Sequence, residues 1–186
     1  MRDDVDELGA GDRNRAMLNR ALSFVLAVTV LLLAGCKPKP KEITSLQRKE
    51  AASLASEAQF ALSVRDAARA EASLAKAAAL APDTGDYWLE LGRCRVRLGQ
   101  RGTAKDAYIA ALDAYEADAM RAANLRTPSI LRRIYVLALL GRVDEARTLL
   151  AKAQKESPDD RDLRAFADRR QIEQMLGSPA FKEAAL

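Results

Sequence analysis

A chain of 186 residues that is 49% hydrophobic and 30% charged is long enough for one domain with a modest core. It contains no histidine, which removes the commonest general base and metal ligand, and with it triad hydrolases and histidine-based zinc sites. The formal net charge is +4 and aromatic content only 5%, while alanine and leucine dominate the apolar residues and β-branched residues are sparse from 45 to 120, so propensity favours helix over strand.

At the start of the chain, Asp3, Asp4, Asp6, Glu7 and Asp12 oppose the positive n-region of an export signal. Met17 instead opens the cleaner stretch MLNRALSFVLAVTVLLLAGC, and residues 1–16 are expected to be an upstream extension of the reading frame. Ala21 to Ala34 form an uncharged run of about 14 residues, short for a membrane span and suited to a signal-peptide core, with Arg20 as its positive flank. The run closes on Leu33-Ala34-Gly35-Cys36. This resembles the lipobox of bacterial lipoproteins: an apolar residue, two small ones that let a peptidase close around the chain, then the cysteine. The resemblance implies removal of residues 1–35, a diacylglycerol on the Cys36 sulfur and acylation of the new amino group. Several acyl chains, at about 0.8 kcal/mol per buried methylene, hold a protein to a bilayer where one does not. The alternative is an uncleaved signal anchor in which Cys36 is incidental.

Residues 36–44 read as a tether. Two prolines in Lys37-Pro38-Lys39-Pro40-Lys41 remove backbone donors, and the alternating lysines repel one another; contact with anionic headgroups is the competing role. In lipoproteins Asp after the lipidated cysteine disfavours export to the outer membrane, and Lys37 stands there instead, so the periplasmic face of the outer membrane is the expected location. With Cys36 lipidated, Cys94 has no intramolecular disulfide partner and reads as a small buried helix residue. The chain has no glycine-rich phosphate loop and no CxxC pair. Asp159 and Asp160 sit where a helix begins after Pro158, and the helix dipole explains them. No enzymatic activity, cofactor or metal site is expected.

Thr44-x-x-Gln47 has the pattern of a capping box. The helix it opens carries Leu46, Leu54, Ala58, Ala61 and Leu62 on one side and ends near Arg65-Asp66. Its partner spans about Ala67 to Leu80, with Ala70, Leu74 and Ala77 as a stripe, and stops before Pro82. That stripe returns as Ala104, Tyr108 and Ala111, then as Ala146, Leu150, Ala153 and Pro158, at steps of 34 and 42 residues, the spacing of a stacked helix-turn-helix array. The eight extra residues are close to two helical turns of about 7.2 residues. The second helix of the middle unit is therefore expected to lengthen through Ala119 and Ala122 to about Asn124, with Thr127-Pro128 starting the next helix; an insertion loop is the alternative.

In the middle unit Trp88, Leu91 and Gly92 precede Gly99, Ala104, Tyr108 and Ala111, and this order resembles the tetratricopeptide repeat. Trp88 and Leu91 would fill the space between paired helices, Gly92 and Ala104 would let backbones approach, and Gly99 would supply a left-handed turn. Arg95 and Glu116 stand where the family has Tyr and Pro. The third unit reads Ile130, Ile134, Leu137 and Leu140-Gly141, with Arg133-Ile134 in place of the Leu-Gly step. The resemblance, over about residues 50–160, implies an all-α fold: tetratricopeptide-like antiparallel hairpins over 45–160, stacked as a short right-handed superhelix, with C-terminal capping helices over 161–186. The cap is expected as one charged helix from Asp160 to Leu176, ended by Gly177. A short helix then starts at Ser178-Pro179, and its Phe181 and Leu186 fold back on the cap.

In that family the first helices of successive units line a concave groove for peptide segments or partner helices. Carried over, the lining comprises Gln59 and Leu62, then Leu89, Arg93, Val96 and Arg97, then Leu131, Tyr135 and Leu139. Arg93 and Arg97, one turn apart, could meet an acidic or C-terminal carboxylate, or form only a solvated basic face. Residues 36–186 carry a charge of +5 spread along the helices, and with export to the envelope no nucleic-acid partner is expected. The two resemblances together imply a lipid-anchored, periplasm-facing adaptor or scaffold that binds a protein partner through its groove. Lipoproteins of type IV pilus assembly and outer-membrane protein assembly look like this; the alternative is a structural envelope lipoprotein with no groove ligand.

Overall fold

The computed structural model describes residues 42–186; the expected signal peptide, Cys36 and the tether up to Lys41 lie outside the described residues. Among the described residues every regular element is a helix. Three hairpins come first: α1 (Ser45–Ser63) with α2 (Ala67–Leu80), α3 (Gly85–Arg97) with α4 (Arg101–Arg121), and α5 (Ala123–Leu139) with α6 (Val143–Glu156). Three short helices follow, α7 (Arg161–Asp168), α8 (Gln171–Gly177) and α9 (Pro179–Ala184). The hairpins join through α2 against α3 and α4 against α5, giving an all-α helical-hairpin repeat whose packing is compatible with a tetratricopeptide-like fold. No helix among the described residues is long and apolar enough to cross a membrane.

Each hairpin buries its small-large-small stripe. Ala70, Leu74 and Ala77 on α2, Ala104, Tyr108 and Ala111 on α4, and Ala146, Leu150 and Ala153 on α6 are all buried, because residues three and four apart share a helix face. The same steps of 34 and 42 residues put Ala58, Gly92 and Ile134 in one register on α1, α3 and α5. Ala58 shares a core cluster with Leu74, and Ile134 with Leu150. A Cβ on Gly92 would land on the Tyr108 ring. Gly92 therefore seats a ring instead of bringing two backbones together, which corrects the expectation for that glycine. Seven residues earlier Gly85 does the same for Tyr115, whose Cε1 lies 2.5 Å from where a Cβ would be.

The three hairpin turns are built alike. After α3 the Gly99 amide donates to the Val96 carbonyl (2.9 Å) and the Gln100 amide to Arg95 (2.8 Å); after α5 Gly141 donates to Ala138 and Arg142 to Leu137, both at 2.9 Å. This is the Schellman pattern, which needs a left-handed residue just past the helix, and Gly99 and Gly141 have φ of 75° and 73°. After α1 the bonds recur from Arg65 to Leu62 and from Asp66 to Ala61, yet the left-handed residue is Arg65, with φ 62°.

Three further expectations are corrected and a fourth is extended. Leu46 is 72% exposed, because five residues at 100° each place it about 140° around α1 from buried Ala51. The insertion is helical, since α4 has 21 residues against 14 in α2 and α6, but α4 stops at Arg121. Ala122 is extended (φ −151°, ψ 138°) and α5 starts at Ala123 with Pro128 inside it; Pro128 keeps a helical φ and withholds one hydrogen bond from the carbonyl four residues back. The cap is two helices, α7 and α8, separated at Arg170 (φ 48°). In one unbroken helix Leu163 and Ile172, nine residues apart, would point in opposite directions; the break lets both enter the cluster of Ile130, Ile134 and Leu150. Phe181 meets the cap as expected, with Met175 and Leu176 packed against its cluster, but it is also buried against Leu89, Tyr108 and Leu139 of the repeats.

Candidate functional site

The groove expected along the first helices is filled, over its second and third units, by the end of the chain. Ser178 caps α9 by accepting the Phe181 amide at 3.2 Å, and Pro179 takes the first helical position, where a proline lacks only a donor that would go unused. Three-residue spacing then puts Phe181 and Ala184 on one face. Both are buried, in a cluster with Leu89 from α3, Tyr108, Ala111 and Tyr115 from α4, and Val136, Ala138 and Leu139 from α5. Phe181 meets the Tyr135 ring edge-on, with centroids 5.8 Å apart and planes at 76°. The Tyr108 hydroxyl donates to the Ala184 carbonyl at 2.7 Å, and the Leu186 amide to the Leu139 carbonyl at 2.9 Å. Removing a Phe side chain from water is worth about 1.5–3 kcal/mol, so Phe181 is the main anchor.

The residues expected to line the groove separate into four groups, apart from Leu62, which packs on the first inter-unit cluster with Ala58 and Leu74. Leu89 and Leu139 share the cluster of Phe181, and Tyr135 and Val96 pack against it. Leu131 packs instead with Ile130, Ile134 and the cap residue Leu163. Gln59 on α1 and Arg97 in the last turn of α3 are exposed, and Arg97 makes no ion pair among the described residues. Arg93 is half-buried and holds Glu90 at 3.0 Å, while its Nε is buried without a hydrogen-bond partner. Burial works against the Arg93 charge, but the Glu90 carboxylate works for it, and the guanidinium pKa is raised. Burial, with Tyr135 alongside, pushes the Tyr108 hydroxyl well above its ordinary range; it stays protonated and serves as a donor.

Sequence reasoning missed a polar knot beside this groove. The Tyr115 hydroxyl donates to Asp86 Oδ1 at 2.5 Å, Arg132 Nε reaches the same oxygen at 3.1 Å, and the Arg132 guanidinium sits 5.7 Å from the Tyr115 ring centroid. It joins α3, α4 and α5. The paired seven-residue intervals, Gly85 to Gly92 and Tyr108 to Tyr115, were the signal in the sequence. Cys94 is buried in the first inter-unit cluster, and burial, with a smaller push from Glu90, raises its thiol to about 11.

Chemically the arrangement offers α9 and the residues after it an apolar floor, one hydroxyl donor, one backbone carbonyl acceptor and a half-buried guanidinium nearby. Comparison of the chain with models of protein families, with characterised proteins and with solved structures gives no match.

Proposed function

We propose that this chain is a tetratricopeptide-like lipoprotein, anchored through acyl chains on Cys36 to the periplasmic face of the outer membrane. In this reading it acts as a non-enzymatic adaptor that binds a protein partner in its repeat groove. The observation that carries it is the seating of Phe181 and Ala184 between α3 and α5, which speaks for a surface shaped to accept a helical segment. In this reading Gln59 and Arg97, both exposed, extend the binding surface beyond the part α9 covers. Crosslinking in membranes followed by pull-down, comparing wild type with Arg93→Glu/Arg97→Glu, tests the groove; identical partners in both would defeat it. Incorporation of a palmitate analogue, lost in Cys36→Ala, tests the anchor.

The same seating favours a second reading, a structural envelope lipoprotein whose groove is closed by its own tail and takes nothing else. The crosslinking experiment separates the two, because the structural reading expects no groove-dependent partner in either protein.

A further inference from the structure

The tail lies on the groove and beside the cap helix α8, whose Met175 and Leu176 adjoin the same cluster, and its own helix adds little. A six-residue helix is far below the length at which a helix persists alone in water. Its attachments to the repeats are the burial of Phe181 and Ala184, the packing of Leu186 at the edge of their cluster, the edge contact with Tyr135, and two hydrogen bonds in which the tail contributes only backbone atoms. Backbone atoms are common to every peptide, so the side chains that distinguish this ligand are an aromatic residue, a small residue three positions on and an aliphatic residue two beyond that. Ala184 is buried, and its carbonyl accepts from the Tyr108 hydroxyl. One groove side chain is left unsatisfied with the tail in place, the buried Nε of Arg93. Lys182 and Glu183 on the tail are exposed and make no hydrogen bond to it.

Resting on the adaptor reading, we propose that Pro179–Leu186 is a resident ligand of the groove, and that an external partner binds by exchanging it for a helical segment of the same Phe-x-x-Ala-x-Leu design. A carboxylate placed to reach Arg93 would give such a segment an advantage that the tail lacks. The groove is therefore closed at rest, and its apparent affinity for a partner is reduced by the small fraction of molecules in which the tail has left.

The test uses the full chain in mild detergent and a fluorescent peptide of sequence SPAFKEAAL, the tail itself. Wild type should bind the probe weakly, and Phe181→Ala, which loosens the resident tail, at least tenfold more tightly by anisotropy. Adding Tyr135→Ala should abolish that gain. Far-UV circular dichroism checks that the variants are folded. Should Phe181→Ala fail to fold, a protease site inserted between Gly177 and Ser178 is cut after folding, and the probe should bind the cut chain and not the uncut one. Equal binding by closed and opened chains overturns the proposal, as does light scattering in which wild type doubles its mass by trading tails between copies. Because the probe is the tail, failure here leaves the adaptor reading to the crosslinking comparison, and failure there leaves exchange of the tail intact.

Discussion

The Tyr108 hydroxyl and the Ala184 carbonyl, 76 positions apart in the chain, meet in a buried hydrogen bond of 2.7 Å. It fastens the last helix to the middle of the repeat, and the tyrosine that makes it is also the large residue of the α4 stripe. One side chain thus packs a hairpin with its ring and reads the tail with its hydroxyl. Tyr108→Phe keeps the first role and removes the second, leaving a buried carbonyl unpaired at a cost of about 1–3 kcal/mol. Hydrogen exchange should show faster exchange of amides in α9 with protection of α3 and α4 unchanged; loss of protection throughout the repeats would contradict this division of roles.

Gly92→Ala forces a methyl onto the Tyr108 ring. Overpacking of this kind costs about 1–3 kcal/mol, and the gain of about 1 kcal/mol in helix propensity offsets only part of it. Pairing Gly92→Ala with Tyr108→Leu recreates the Ala58 and Leu74 combination of the first hairpin. Urea unfolding should then reveal a favourable coupling of about 0.5–3 kcal/mol between the two sites. Strictly additive effects would mean that the glycine and the ring do not compete for the same space.

Arg65 occupies the left-handed position that glycine takes in the other two hairpin turns. A non-glycine residue there is strained by about 1–2 kcal/mol, and the greater freedom of glycine in the unfolded chain returns part of that, about 0.5–1 kcal/mol. Arg65→Gly is expected to raise stability by about 0.5–1 kcal/mol, seen as a small upward shift in melting temperature. Gly99→Ala should move it the other way.

Asp160 is held below the ordinary carboxylate range, first by the Thr127 hydroxyl at 2.6 Å and then by the Leu163 amide at 3.0 Å. A carboxyl group lowered in the folded state contributes stability that is complete above its unfolded value, about 3.9, and lost as pH falls through the folded value. Acid titration of thermal unfolding should show wild type losing stability below about pH 4 more steeply than Asp160→Asn, with the difference gone once both sites are uncharged. At neutral pH, Asp160→Ala should cost about 1 kcal/mol through the lost cap of α7.

Burial raises the Cys94 thiol to about 11, so at pH 8 little of it is thiolate and none is exposed. Alkylation by iodoacetamide should be slow in the folded chain and fast in urea. Equal rates would contradict the burial of Cys94.

What could be read from residues alone were the features that repeat or act locally. The three stripes, the capping box at Thr44 and Gln47, and the glycines at 99 and 141 each have a signal within a few positions, and the structure places all of them as expected. Ala122 carries no such signal: it is a good helix former in extended geometry, and packing of α5 on α4 overrides its preference. Arg65 and Arg170 adopt left-handed backbone against their type. The destination of Phe181 was legible only on its cap side, where Met175 and Leu176 adjoin its cluster. Short-range pattern fixed the helix it sits on, but its partners Leu89, Tyr108 and Tyr135 lie at separations no local spacing encodes.

Similar units in one chain carry a hazard, since a helix that pairs with its own neighbour could equally pair with the matching helix of another unit. The register shared by residues 58, 92 and 134 answers it with three different locks: alanine with leucine, glycine with tyrosine, isoleucine with leucine. Tyr108 has no room against Ala58 or Ile134, and Leu74 or Leu150 would leave a hole against Gly92. The middle hairpin is thereby the one that cannot be mistaken for either of the others, and its lock fixes which helices are neighbours in the stack.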